Sequence, residues 1–417
     1  MTESAKMRPS QALDSGPAIA LVAGEESGDR LGAALMRALK ERTGGTIRFA
    51  GVGGREMAQE GLRSLFPIDD LAMIGFAAIP RHLSIILRRI RDTAQLVLAD
   101  PPDALVIIDS PEFTHQVARR VRAAAPSIPI IDYVSPSVWA WRPGRARAMR
   151  NYVDHVLALL PFEPAAHRRL GGPPCTYVGH PLTEELAELR PNAQEARRRL
   201  ADPPIVLALP GSRSGEIRRL LAIFGQALAI VGARRQPPEI VLPTLPHLHD
   251  RIKAATTGWP VPPRIVVEFK DKQAAFRSAR AALAKSGTVT LELALAGVPM
   301  VAAYKVSLLE EMVARLAIQV PSAILPNLIL GENVVPEFLQ RMCAPENLAN
   351  ALLPLLADSA ERRRQVDAFT RLDARMDAGS ASPSDSAAAI VLGLAGKQRS
   401  EDRAWRTEDR RQESGRA

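Results

Sequence analysis

Short runs of apolar residues alternate along this chain with stretches in which apolar positions recur every three or four residues. The run "AIALVA" (18–23) is followed by Leu31, Leu35, Ala38 and Leu39, which share one face of a helix. "ALVIID" (104–109) precedes a helix through Val117 and Val121, and "PIIDYV" (129–134), "HVLALL" (155–160) and "CTYVGH" (175–180) follow in order. A polar, helical segment ending in a proline pair, 182–204, interrupts the series. The pattern then restarts with "IVLALP" (205–210), a helix near Ile217 to Val231, "EIVLPTL" (239–245), "RIVVEF" (264–269), "AALAKSG" (281–287) and "PMVAAYK" (299–305). Strands alternating with helices predict parallel sheets with helices on both faces. The expected fold is α/β, with two doubly wound, Rossmann-like domains facing a cleft; a single large domain is the alternative.

The expected boundaries are 17–181 and 182–395, with the last helices of the second domain free to pack back on the first. Residues 1–16 and 396–417 read as disordered. The second of these tails carries seven lysines and arginines against five carboxylates, two of the nine net positive charges, so the basic excess lies mainly in the folded body. An apolar share of 47% with 24% charged residues is the balance of a soluble globular protein. Cys175 and Cys343 form no CxxC pair, which fits a reducing compartment. No secretory signal and no uncharged run of roughly 20 apolar residues is visible. The expected location is therefore cytoplasmic, on or off a membrane surface. The positive charge suits anionic lipid or a phosphorylated substrate. No zinc-ligand cluster or aromatic RNA-binding set points to nucleic acid.

The stretch "LVAGEESGDRLG" (21–32) places Gly24, Gly28 and Gly32 four apart, without the GK[ST] of a P-loop or the G-x-G-x-x-G of a dinucleotide site. It reads either as a tight strand-to-helix turn capped by Ser27 or Asp29, or as a sugar-binding loop using Gly24, Glu25, Ser27 and Gly28. "LALPGSRSGE" (207–216) offers an anion site at a helix start, with Gly211, Ser212 and the planar donor of Arg213. A second such loop holds Ser286, Gly287 and Thr288, with Glu292 one helical turn on as a ribose partner; Lys285 fits either a phosphate or a surface charge. Asp109 ends a strand, as a general base or as an N-cap for the helix after Pro111. Trp139, Trp141 and Arg142, in "YVSPSVWAWRPGRARAM" (133–149), line a ligand cleft or pack internally. His180 is hinge or cleft. "AMIGFAAIPRHLSIILRRIRD" (72–92) mixes Met73, Phe76, Ile79, Ile85 and Ile86 with Arg88 and Arg89. It reads as an interfacial lipid segment or as a core helix with a basic edge.

The motifs "LVAGEESGDRLG", "DDLAMIGFAAI", "YVSPSVWAWRPGR", "LPFE", "YVGHP", "LALPGSR", "SGTVTLE" and "LPNLILGE" occur in an order that closely resembles the lipid-A-disaccharide synthase family, from about Ala18 to Leu394. The resemblance implies a GT-B glycosyltransferase with no metal and no cofactor. It would join UDP-2,3-diacylglucosamine to 2,3-diacylglucosamine 1-phosphate (lipid X) through a β-1,6 bond, working peripherally at the inner face of the inner membrane. A homodimer is compatible with it. By position, Asp109 matches the family's essential acid, Arg213 the arginine of its PGSR loop, Asn327 the asparagine of its LPN motif, and Glu292 the superfamily's ribose-binding glutamate. Glu26, Glu112 and Thr114 depart from the family pattern. A UDP-sugar epimerase, another UDP-sugar transferase, or a non-catalytic lipid- or nucleotide-binding protein are the rival readings.

Overall fold

A computed structural model describes residues 16–72, 79–307, 311, 320 and 322–414, with side chains for all of these except 69, 72, 79–83 and 401–414. The expectations for residues 1–15, for Met73 and Phe76, and for the side chain of Ile79 lie outside the described residues. The chain divides into two compact units. Unit 1 runs to Pro181 and resumes at Ala378, and unit 2 is Leu182–Asp377.

Unit 1 holds strands β1 (Ala18–Ala23), β2 (Arg48–Val52), β3 (Ala104–Ile108), β4 (Ile130–Tyr133), β5 (His155–Ala158) and β6 (Cys175–Tyr177). They form one parallel sheet in the order β2-β1-β3-β4-β5-β6. β3 and β4 are buried along their whole length, as a sheet covered on both faces demands. One face packs Phe66, Ile90, Val97, Phe113, Val117 and Val121 into a core. The other packs Leu35, Met36, Leu39 and Met57 together with Ala387, Ala388, Val391 and Ala395 from the last helix.

That last helix, Pro383–Ser414, is a correction to the expected disordered tail and to the boundary at 395. Its apolar first turns dock on unit 1, where Arg42 grips Asp385 with two bonds of 2.5 and 2.8 Å. Once nucleated there, each further residue adds a backbone hydrogen bond without a new nucleation cost, and no proline follows Pro383 to stop it.

Unit 2 repeats the architecture with β7 (Ile205–Leu209), β8 (Glu239–Pro243), β9 (Arg264–Val266), β10 (Ala281–Lys285), β11 (Met300–Tyr304) and β12 (Glu337–Leu339). The parallel order is β12-β11-β10-β7-β8-β9. Its core centres on Phe224, Leu228 and Val231 of the helix Ser214–Arg234, packed with Leu348 and Leu352 of Pro345–Leu355.

Candidate functional site

A doubly wound sheet opens a crevice where consecutive connections leave in opposite directions, outside the carboxyl ends of its strands. In unit 1 the chain goes from β1 to β2 on one side and to β3 on the other, so the switch point lies between β1 and β3. The segments leaving those strands are Gly24–Gly28 and Asp109–Pro111. In unit 2 the switch lies between β7 and β10, whose exits are Gly211–Arg213 and Ser286–Thr288. Strand order thus brings together pairs of loops that lie far apart in sequence.

Asp109 is half-buried, and its carboxylate is fixed on both oxygens. Oδ1 accepts the Ser110 N–H at 2.7 Å and Oδ2 accepts the Ser27 hydroxyl at 3.1 Å. Asp109 and Ser110 both take left-handed backbone, φ 53° and 45°, at an expense of about 1–3 kcal/mol each. Thr114 supports this turn, donating its hydroxyl to the Asp109 carbonyl at 2.7 Å and reaching the Ser110 carbonyl at 3.2 Å. Gly24 completes it, because a Cβ there would stand 2.6 Å from Ser110 Cβ. The N-cap reading of Asp109 is corrected: Ser110 is the capping position of Pro111–Ala124, and no side chain caps that helix. Nor does Ser27 or Asp29 cap Glu26–Arg42. Asp29 is buried and accepts the N–H groups of Gly54, Glu56 and Met57 at 2.7, 2.8 and 3.1 Å, holding the start of the short helix Arg55–Gln59. Glu25 and Glu26 are exposed.

After β4 the backbone is strained again, with Val134 at φ 87° and Arg142 at 53°. Among the described residues, four of the five non-glycine residues with positive φ fall in these two neighbouring exits, a concentration typical of functional loops. The Ser135–Arg142 loop is clamped by one face of the helix Glu163–Leu170. Trp139 Nε1 donates to Glu163 Oε1 at 3.0 Å, and Ser135 Oγ meets His167 Nε2 at 2.8 Å. Glu163 and His167 sit four residues apart, one turn of that helix, a spacing that could have flagged them in the sequence. Trp139 also stacks edge-on against Phe162 at 5.0 Å, so it packs internally instead of lining a cleft. Trp141 stays exposed, with Arg142 stacked 4.4 Å above its ring. His180 is buried, and burial lowers its pKa to about 4, leaving it neutral at physiological pH.

Burial raises the Glu163 carboxyl to about 7, against the lowering effect of the Trp139 N–H and of backbone donors. A carboxyl raised in the folded state stabilises the fold fully below its unfolded pKa near 4.5, and that contribution is lost as pH climbs through about 7. Denaturant unfolding at pH 5 and pH 8 should therefore show wild type losing on the order of 3 kcal/mol relative to Glu163→Gln over that span. Parallel stabilities at both pH values would remove the argument.

In unit 2, Gly211 (φ 119°) turns the chain out of β7, with room for no side chain: a Cβ would lie 2.4 Å from Glu216 Oε2. Glu216 accepts the Arg213 N–H at 3.3 Å and pairs with Lys285 Nζ at 2.9 Å, tying the two exits of the switch point together. Lys285 is therefore no free surface charge. Ser212, Arg213 and Thr288 are exposed at helix starts, where first-turn N–H groups point outward. Ser286 is buried and its Oγ makes no hydrogen bond within the described protein. Glu292 Oε2 is held by Lys272 Nζ at 2.8 Å, leaving Oε1 for another partner. Asn327 is corrected: Nδ2 donates to Ser322 Oγ and the Val335 carbonyl, and Oδ1 accepts from Val334 and Val335. Its capacity is used up inside the unit, pinning residues 334–335, with nothing left for a diphosphate.

The lipid segment divides. In the helix Ile79–Ala99, Ile86 packs on the core and Arg89 pairs with Asp70 at 2.6 Å and covers the Phe66 ring. Ile85 is half-buried. Leu87, Arg88 and Arg91 are exposed on the outer face instead. Among the described residues, no helix is long and apolar enough to cross a membrane.

Residues 19–391 match the family described as lipid-A-disaccharide synthetase. The chain is 61% identical over 386 residues to the lipid-A-disaccharide synthase of Nitrobacter hamburgensis, covering 93% of this chain and 98% of that one. It is 62% identical over 376 residues to that of Rhodopseudomonas palustris, covering 90% and 95%. Among solved structures it resembles Acinetobacter baumannii MurG, with a TM-score of 0.54 at 14% identity over 90% of this chain and 99% of the other. It also resembles UDP-GlcNAc 2-epimerase from Neisseria meningitidis, with a TM-score of 0.57 at 11% identity over 91% and 100%. At such identities the likeness is one of fold, and it agrees with two Rossmann-like units of the GT-B class.

Proposed function

The chain belongs to the lipid-A-disaccharide synthetase family, and from that premise we propose how its two units divide the reaction. It is a glycosyltransferase of lipid A biosynthesis that uses a UDP-sugar donor and a lipid acceptor. In our reading the donor is UDP-2,3-diacylglucosamine and the acceptor 2,3-diacylglucosamine 1-phosphate. Asp109 takes the proton from the acceptor 6-hydroxyl as that oxygen attacks the anomeric carbon of the donor. The bond to UDP breaks with inversion, and its electron pair leaves on the diphosphate. Arg213 and the amides of Gly211–Ser212 and Ser286–Thr288 stabilise the departing charge, and Glu292 Oε1 accepts from the ribose. A guanidinium with several amides does the work a divalent ion does elsewhere, so no metal is required.

The observation that carries this reading is Asp109 itself: a carboxylate at the switch point, oriented by Ser27 and Ser110 on strained backbone that nothing in the core demands. Leu87, Arg88 and Arg91 are the face offered to anionic lipid. One experiment tests the whole. In vesicles of anionic phospholipid carrying both substrates, the protein should cosediment and release UDP, with EDTA present or absent. Donor alone should give neither UDP nor an epimerised sugar. UDP release that EDTA stops and magnesium restores would refute the metal-free grip, and epimerisation without acceptor would refute transfer.

A further inference from the structure

Arg142 is an exposed arginine on strained backbone, φ 53°, at the end of the clamped loop. Its guanidinium lies 4.4 Å above the Trp141 ring. Among the described residues no carboxylate stands within ion-pair distance of it. Stacking fixes the plane of a guanidinium and leaves its edge N–H groups pointing outward as a fork, the geometry that accepts two oxygens of a phosphate. Its neighbour Arg145 is already used, pairing with Glu112 Oε1 at 2.7 Å, and the Arg145 N–H donates to the Arg142 carbonyl at 2.9 Å. Glu112 belongs to the first turn after Asp109, so this chain of bonds holds Arg142 beside the Asp109 turn. The Glu112 carboxyl is kept below its ordinary range chiefly by Arg145, and Arg142 is close enough to lower it further.

Much structure is committed to that one orientation. Two buried side chains, Glu163 and His167, each hold one residue of the loop, and the backbone is strained at both its ends. A solvated arginine on a surface loop needs none of this. The nearest such carboxylate, Glu112, is bonded to Arg145 and acts on Arg142 only from beyond ion-pair distance, which leaves the fork itself without a bonded partner among the described residues. An anion on the substrate accounts for the arrangement, and the acceptor of the reaction read above carries one.

We propose that Arg142, presented by Trp141 and the clamped Ser135–Arg142 loop, binds the phosphate monoester of the acceptor and so selects a phosphorylated acyl-sugar over its dephosphorylated counterpart. This rests on the assignment of a sugar 1-phosphate acceptor made in the preceding subsection. Arg142 is then a specificity residue that touches the substrate remote from the reacting oxygen, while Glu163 and His167 are positioning residues.

The variant to use is Arg142→Asn, since asparagine tolerates positive φ and carries no charge, so loss of the guanidinium is not confused with a refolded loop. Full-length protein is assayed for UDP release with 2,3-diacylglucosamine 1-phosphate and with 2,3-diacylglucosamine. The dephosphorylated sugar serves as substrate or, where its turnover is too slow, as competitor. For Arg142→Asn, KM for the phosphorylated acceptor should rise about 10- to 100-fold, the loss expected for one charge-assisted bidentate contact. KM for the donor and the kinetic or inhibition constant of the dephosphorylated acceptor should stay within about twofold. Arg142→Lys, which keeps the charge without the planar fork, should fall between wild type and Arg142→Asn. Equal losses with both acceptors, or no loss with either, overturn the proposal. Failure of the underlying reading looks different: wild type itself would then release no UDP with either acceptor.

Discussion

The Asp109→Asn variant is expected to lose about 10²- to 10⁴-fold in kcat while keeping its affinity for UDP, the range a positioned general base contributes. Asparagine is the informative choice here on physical grounds. Asp109 sits at φ 53°, a conformation that Asn shares more readily than most other residues with a side chain. Its amide oxygen can still accept the Ser110 N–H, now 2.7 Å from Oδ1, so the turn is retained. The change therefore removes basicity and little else, and melting temperature should move by no more than a few degrees. Initial rates at saturating substrates, with UDP binding measured separately by calorimetry, decide the matter. Turnover within tenfold of wild type would end the role of base. Parallel loss of UDP affinity would mean the substitution had damaged the fold.

The second large effect is on stability. Arg199→Met should destabilise unit 2 by about 3–5 kcal/mol, because four buried carbonyls lose a charged donor and each acceptor left unsatisfied costs about 1–3 kcal/mol before relaxation. Arg199 is 9% exposed, and its guanidinium donates to four carbonyls: Phe276 and Arg277 at 3.1 and 3.2 Å, and Ala296 and Gly297 at 3.0 and 3.1 Å. These carbonyls close the carboxyl ends of two helices, Phe269–Ser278 and Thr288–Leu295, where the helix dipole favours a cation. Burial lowers the guanidinium to about 10, still well above neutrality, so it stays charged. Methionine fills much of the volume but leaves all four carbonyls without a donor. At roughly 2–4 °C per kcal/mol for a unit of this size, the melting temperature should drop by about 10 °C. Lysine, with one compact ammonium, should recover only part of the loss. A methionine variant melting within about 2 °C of wild type would show that water replaces the arginine at little expense. Thr288–Leu295 begins at the proposed diphosphate grip, so donor affinity should fall as the variant is warmed, ahead of global unfolding.

Much of the fold was legible because the central strands of both parallel sheets are buried on both faces, so each appears as an apolar run; the edge strands β2 and β12, short and partly exposed, carry no such run and were not read from the sequence. The two strand-to-helix turns proposed to hold the diphosphate were legible for a related reason, since a strand followed by glycine, a hydroxyl residue and a helix start is a local pattern. Asp109 stood out as a carboxylate ending such a run. The tail was misread because charge and polarity describe a segment in isolation, whereas Ala387, Ala388, Val391 and Ala395 nucleate it against unit 1. Trp139, Asn327 and Lys285 each looked available for a ligand. Trp139 and Asn327 have their polar atoms taken up by partners 24 or fewer and eight or fewer residues away, and Lys285 is paired with Glu216 across the switch point.

Read alone, the order of residues determines what depends on near neighbours: where the central strands and their helices fall, that there are two βα series, and which strand-to-helix turns are rich in glycine and hydroxyl residues. The tertiary structure decided what depends on strand order. Placing β3 beside β1, and β10 beside β7, brings Ser27 to Asp109 and Lys285 to Glu216 across separations no local pattern encodes. Hydrogen bonds act only within about 3 Å, so whether a side chain is free for substrate is known once its neighbours in space are known.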